Sequence, residues 1–188
     1  MRYLAFIAVF MLAACSSTPD KAYYQLPINA TKIQEQANTT GRNQIWVQRI
    51  TLSDMLAANG IAYQTTDVSY TNASSHVWAS PLDQQLAQAL VVDLSTALPN
   101  RLVALQPLES QPDTLDITLT GFHGRYDGHV IIQGYWTFSH DSQIIRRSFD
   151  LALEQTEDGY PALVRTLSTG WQQVANSIAN EIESSSRP

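Results

Sequence analysis

The sequence predicts an α+β domain: an antiparallel or mixed β-sheet whose C-terminal half is a meander, with two amphipathic helices packed on one face. Three observations predict it. Residues 82–98 set Leu82, Leu86, Ala89, Leu90, Leu94, Ala97 and Leu98 on one helical stripe. Residues 115–153 switch to two-residue alternation, with turn dipeptides between the apolar runs. The stretch from Asp158 onward returns to helical spacing, with Leu163, Leu167, Trp171, Val174, Ile178 and Ile182 at intervals of four, four, three, four and four. Each helix has a single apolar face, and laying both on one side of the sheet buries all three surfaces together.

Composition narrows the function. The chain has 188 residues, 44% hydrophobic and 15% charged, which suits one globular domain. Its 11 Lys and Arg against 17 Asp and Glu leave a net charge of −6, so no basic field collects phosphates and nucleic acid is excluded as a partner. A single Cys rules out an internal disulfide framework and any Cys-rich zinc module.

The N-terminus reads as an address. Arg2 precedes an apolar run over residues 4–14. As a helix this run would span about 16 Å, roughly half a bilayer core, so it is a secretory signal rather than a membrane span. The run ends at Leu12-Ala13-Ala14-Cys15, with Ser16-Ser17-Thr18-Pro19-Asp20 after it. This pattern resembles the lipobox of bacterial lipoproteins. The resemblance implies cleavage between Ala14 and Cys15, diacylglycerol on the Cys15 sulfur and an acyl chain on the new amine. Two or three such chains hold a protein on a membrane effectively permanently, at about 0.8 kcal/mol per buried CH₂. A free thiol at this position would be a liability in an oxidising compartment, which counts against a plain secreted protein. By analogy with enterobacterial lipoproteins, Ser16 rather than Asp after the Cys points to the periplasmic face of the outer membrane. The expected organisation is a signal peptide over 1–14, a lipidated Cys and tether over 15–21, one domain over 22–183 and a polar tail over 184–188.

The remaining elements follow in order. A first strand is expected over 22–26, a polar loop over 29–43, and strands over 44–50, 61–64 and 68–72, with the Asn59-Gly60 turn closing the 52–60 connection. The first helix opens with Ser80 as cap, Pro81 at the first helical position and Asp83 at the positive end, and Pro99 stops it. A short strand over 102–105 and a Pro-containing bend over 106–113 lead into the meander. Gly121 shifts the alternation by one, the mark of a bulge. Tyr126-Asp127-Gly128-His129 reads as a two-residue hairpin turn and Asp141-Ser142 as a second turn.

Chemistry-bearing motifs are sparse. The chain has no phosphate loop, no GxSxG elbow and no HExxH. His123 and His129 flank Asp127 and bring two imidazoles and a carboxylate to one hairpin end. A zinc site would need a further ligand, and both read as ordinary exposed strand histidines. His76 falls in a polar loop and His140 at a turn. Glu157-Asp158 reads as helix N-terminal charge rather than as an acid/base couple. The expectation is a protein with no enzymatic activity, metal or cofactor beyond the lipid on Cys15. Tyr135 and Trp136 must face opposite sides of the sheet. Trp136, as a sheet-face aromatic, joins Tyr126 and Asp127 at the hairpin end as candidate partner-binding residues.

Six segments carry a wider resemblance: Tyr23-Tyr24-Gln25-Leu26-Pro27, IWVQRITLSDMLAANGIAYQTTDVSY over 45–70, WASPLDQQL over 78–86, LSTALP over 94–99, GRYDG over 124–128 and DGY over 158–160. Over nearly the whole mature chain it resembles the PqiC (YmbA) family of ABC-type transport auxiliary lipoproteins, departing at Ser53, where the wider family tends to have Pro. The resemblance implies a non-enzymatic component of an intermembrane phospholipid transport system that supports membrane integrity. A PqiB-like MCE tunnel protein would dock on it at the outer membrane, linked through the tunnel to a PqiA-like inner-membrane protein. A ring-shaped homo-oligomer would suit the axis of a tunnel. Two alternatives stay open: a carrier lipoprotein that binds lipid by itself, which needs an apolar-lined cavity, and a periplasmic hydrolase, which needs a histidine with a fixed acid partner.

Overall fold

The structure is a computed structural model and describes residues 20–28 and 44–185. The signal peptide, Ala14, Cys15, most of the tether, the 29–43 loop and the last three residues lie outside the described residues.

In chain order the elements are β1 (Ala22–Tyr24), β2 (Gln44–Leu52), a single-turn α1 (Asp54–Ala57), β3 (Gly60–Gln64), β4 (Tyr70–Trp78), α2 (Leu82–Ala97), β5 (Leu102–Ala104), β6 (Asp113–Arg125), β7 (His129–His140), β8 (Gln143–Glu154) and α3 (Tyr160–Ser185). The class is α+β with one mixed sheet among the described residues. β6, β7 and β8 form the expected antiparallel meander. The N-terminal strands pair largely in parallel, β1 with β4, β2 with β5, and both β2 and β3 with β6. Parallel neighbours need crossover connections, which the excursions through α1 and α2 supply.

β6 organises the sheet. One of its edges is taken by β7 along most of its length. The other edge is shared in turn: β2 runs beside Asp113 to Leu119, and β3 beside Gly124 and Arg125. Between them the chain leaves the sheet as α1, and the Ser53 N–H donates to the Leu119 carbonyl at 3.1 Å. At the same height β6 carries a register shift between Leu119 and Gly121, where the broken parity predicted a bulge.

Both long helices cover one face. Ile45, Val47, Leu115, Ile117, Leu119, Phe122, Ile132 and Phe138 of the sheet meet Leu86, Leu90 and Leu94 of α2 and Leu167, Trp171, Val174 and Ile178 of α3, all buried. The Trp171 indole donates to the Leu86 carbonyl at 3.1 Å and so ties one helix to the other.

Several local expectations change. The strand expected over 68–72 runs instead from Tyr70 to Trp78, which places His76 in a strand and not in a loop. Pro81, not Ser80, occupies the N-cap of α2, with no side-chain cap bond. The Ser80 carbonyl instead accepts from the Gln85 side chain at 2.8 Å. The Tyr126 hairpin has three loop residues, 126–128. Gly128 alone there takes a positive φ, +82°, and its N–H donates to the Arg125 carbonyl at 3.0 Å. That is a type I turn closed by a glycine bulge; the two-residue I′ turn would need positive φ at Asp127 too. α3 continues to Ser185, past the 183 boundary.

Candidate functional site

Three polar and aromatic clusters occupy the meander: one at each end and one on the face that the helices leave open. At the hairpin end the Arg125 guanidinium grips Asp127 with Nε to Oδ1 at 2.9 Å and Nη2 to Oδ2 at 2.7 Å. Asp127 also accepts from the His129 backbone N–H at 3.3 Å, and His129 Nδ1 stands 3.3 Å from the same carboxylate. The hydrogen bond from Arg125 holds the Asp127 carboxyl well below the usual carboxylate range. Tyr126 projects from the same tip, 54% exposed.

At the opposite end Asp113 is buried where β6 begins. It is paired with Arg101 on one oxygen and with His140 Nδ1 at 2.7 Å on the other. A histidine with a fixed acid partner is therefore present. Its other nitrogen, Nε2, faces Asp141 Oδ2 at 3.8 Å, so the imidazole sits between two carboxylates rather than between an acid and a nucleophile.

The open face holds the third cluster. Tyr135 lies there with the Arg146 guanidinium 3.9 Å above its ring, a cation–π contact. Trp136 points the other way and is 2% exposed in the core, so it presents no surface to a partner. Strand parity decides this, because Trp136 pairs with Ile117, a helix-facing residue. His123 is on the open face yet only 3% exposed, which corrects the expectation of an exposed strand histidine. Neither ring nitrogen has a hydrogen-bond partner, and burial, helped by the charge of Arg125, pushes its pKa down to about 4. Among the described residues no three His, Cys, Asp or Glu side chains gather as a metal would require.

Near β1, His76 bonds Tyr24 through Nδ1 at 2.9 Å and stacks on Tyr160 with ring centroids 3.9 Å apart. Burial pushes the Tyr160 phenol up. Gln85, buried on α2, accepts from the Leu26 N–H at 2.9 Å. It escapes a reading by apolar stripe because it is a polar residue on the buried face. These contacts dock the first strand, and hence the end of the tether, onto the body of the domain.

Surface hollows of about 300, 260 and 440 Å³ lie beside α1, beside the hairpin end and between β2 and α2. They fall at the lower end of what even a drug-sized ligand fills. No helix among the described residues is long and apolar enough to cross a membrane.

The chain belongs to the ABC-type transport auxiliary lipoprotein components, whose family model covers residues 24–179. Within that family it is 49% identical over 183 residues to the intermembrane transport lipoprotein PqiC of Escherichia coli (strain K12), and equally to that of Shigella flexneri. Each match covers 97% of both chains. These relatives are named as transport lipoproteins, not as enzymes. A crystal structure of an uncharacterized protein superposes with a TM-score of 0.78 at 48% identity, covering 87% of this chain and 99% of that one. A second crystal structure, of a Xanthomonas campestris protein, shares the fold with a TM-score of 0.66 at 16% identity, over 88% and 100% of the two chains.

Proposed function

We propose that this lipoprotein is held at the periplasmic face of the outer membrane by acyl chains on Cys15, after cleavage behind Ala14. There it acts without catalysis as the docking component of an intermembrane phospholipid transport system that supports membrane integrity. Its partner is a PqiB-like MCE tunnel protein, and through it a PqiA-like inner-membrane protein. A ring of identical copies around the tunnel axis is the assembly that this role favours. The observation that carries the reading is the family membership across residues 24–179, joined to the Leu12-Ala13-Ala14-Cys15 sequence at the start of a short tether. The filled core and the small, open hollows favour docking over carriage, because a two-chain lipid needs a larger enclosed apolar cavity than these provide. Against a hydrolase, the second neighbour of His140 is another carboxylate, Asp141, and no serine or cysteine nucleophile is seen bonded to its ring among the described residues.

The test is a pull-down from detergent-solubilised envelopes, with tagged wild-type protein and Cys15→Ala side by side. Recovery of an MCE protein with the wild type, and release of the variant to the soluble periplasm, is the expected result. Recovery of a bound lipid with no envelope partner would replace docking by carriage.

A further inference from the structure

We infer that the end of the sheet carrying the 65–69 loop and the 126–128 hairpin rests on a zwitterionic phospholipid headgroup layer, with Val68, Tyr70 and Tyr126 set among the headgroups. This deepens the lipoprotein reading above and rests on it. It also assigns the hairpin tip to the bilayer rather than to a protein partner.

The direction of the tether carries the argument. β1 runs parallel to β4 with Ala22 beside His76, so the chain arrives at Ala22 from the side on which β4 begins, at Tyr70. Ala22 stands near the level of Gly60, and the end of the sheet is the row Tyr70, Gln64, Arg125. Four residues of β3 separate those levels, about 13 Å at strand rise. Seven residues lead from Cys15 to Ala22 and span at most about 24 Å. A lipid on Cys15 therefore lies no more than about 10 Å beyond the loop end along the strand direction. A domain on so short a leash cannot stand away from the bilayer. The far end at Asp113 lies eight residues down β6 from Gly121, about 27 Å, beyond the reach of the tether even if it turned back.

The side chains at this end suit a headgroup layer. Gln64 pairs with both Tyr70 and Arg125, so the two loops leave adjacent strands, and Tyr70 and Arg125 are two strand spacings apart, about 10 Å. Val68 is 80% exposed, Tyr70 46% and Tyr126 54%. Tyrosine places an apolar ring and a polar hydroxyl at the depth where hydrocarbon gives way to headgroups. The charge at this end selects the lipid. Asp67, Glu154 and Asp158 are exposed there, while Arg125 is engaged by Asp127 and Arg165 by Glu157, so carboxylates remain in excess. An anionic surface would be repelled, whereas a zwitterionic one is not.

The experiment uses the acylated full-length protein in phosphatidylcholine–phosphatidylethanolamine vesicles that carry a headgroup-level quencher lipid. Because Cys15 is the only cysteine and its sulfur carries diacylglycerol, a new thiol can be labelled alone. A fluorophore on Val68→Cys or Tyr126→Cys is expected to shift to the blue and to be quenched, and one on Leu108→Cys at the far end to do neither. Acylated protein that floats with the vesicles while both tip labels stay unquenched, or while the Leu108→Cys label is quenched, overturns the inference and leaves the lipoprotein reading intact. Wild-type protein whose Cys15 thiol takes the fluorophore and which does not float overturns that reading, and this inference with it.

Discussion

The His123 imidazole stands edge-on to the Tyr70 ring, with 5.2 Å between centroids and 81° between planes, on the sheet face that neither helix covers. Half-exposed Tyr70 roofs the histidine, Ile131 adjoins it on β7, and both ring nitrogens are left without partners.

This arrangement makes the fold sensitive to acid. The folded His123 has a pKa of about 4 against 6.5 when unfolded, so between these values the unfolded chain binds more protons. The stability contribution is intact above pH 6.5 and is lost progressively as pH falls towards 4, by about 3 kcal/mol at most. His123→Leu is expected to remove this part of the slope and to leave stability at pH 7 near or above wild type, because the unpartnered nitrogens are gone. Urea midpoints at pH 7 and pH 4.5 for both proteins check it. A His123→Leu slope equal to that of wild type would show that other groups govern acid unfolding.

Two glycines face very different neighbours. A Cβ at Gly134 would come 2.2 Å from the Thr118 carbonyl oxygen and 3.1 Å from the Leu119 Cα, backbone atoms fixed by the β6–β7 ladder beside the bulge. At Gly170 it would meet the Ile132 Cδ1, the end of a movable side chain. Gly134→Ala should therefore lower unfolding stability by about 3 kcal/mol. Gly170→Ala should cost about 1 kcal/mol or less, because its gain in helix propensity offsets part of the clash. Chemical denaturation of the two variants ranks them.

Gln85 should report on the docking of the first strand. Gln85→Ala leaves the Leu26 N–H and the Ser80 carbonyl without their partners, at an expected cost of about 2 kcal/mol. Hydrogen exchange at the Leu26 amide should quicken, while amides in the centre of β7 change only by the global loss. Unchanged exchange at Leu26 would mean that the buried glutamine does not hold β1 in place.

Two arginine pairs should differ sharply. Arg101→Ala strands the buried Asp113 carboxylate with only His140 beside it, and the expected loss is about 3 kcal/mol. Arg165 and Glu157 form an exposed pair at 2.9 Å, and Arg165→Ala should change stability by less than about 0.5 kcal/mol. Urea titrations at pH 7 check both.

Features set by near neighbours along the chain could be read directly. The apolar stripe of α3, the alternation of Leu115, Ile117 and Leu119, the break at Gly121 and the turn at Asp141-Ser142 each depend on spacing within a few residues. The hairpin at Asp127-Gly128 was legible as a hairpin but not as a three-residue loop, because type I and type I′ turns share that dipeptide and differ in the φ of Asp127.

The sequence by itself determined the two single-faced helices, the meander and the absence of a recognisable catalytic motif, because composition and local periodicity suffice for each. Only the tertiary structure decided that β2 and β3 share one edge of β6, that Trp136 is inside while Tyr135 is outside, and that Tyr70 covers His123. Only it decided, too, which end of the sheet the tether approaches. These depend on strand partners 54 to 68 residues apart, and parity along a strand says which residues share a face but not which face the helices will cover.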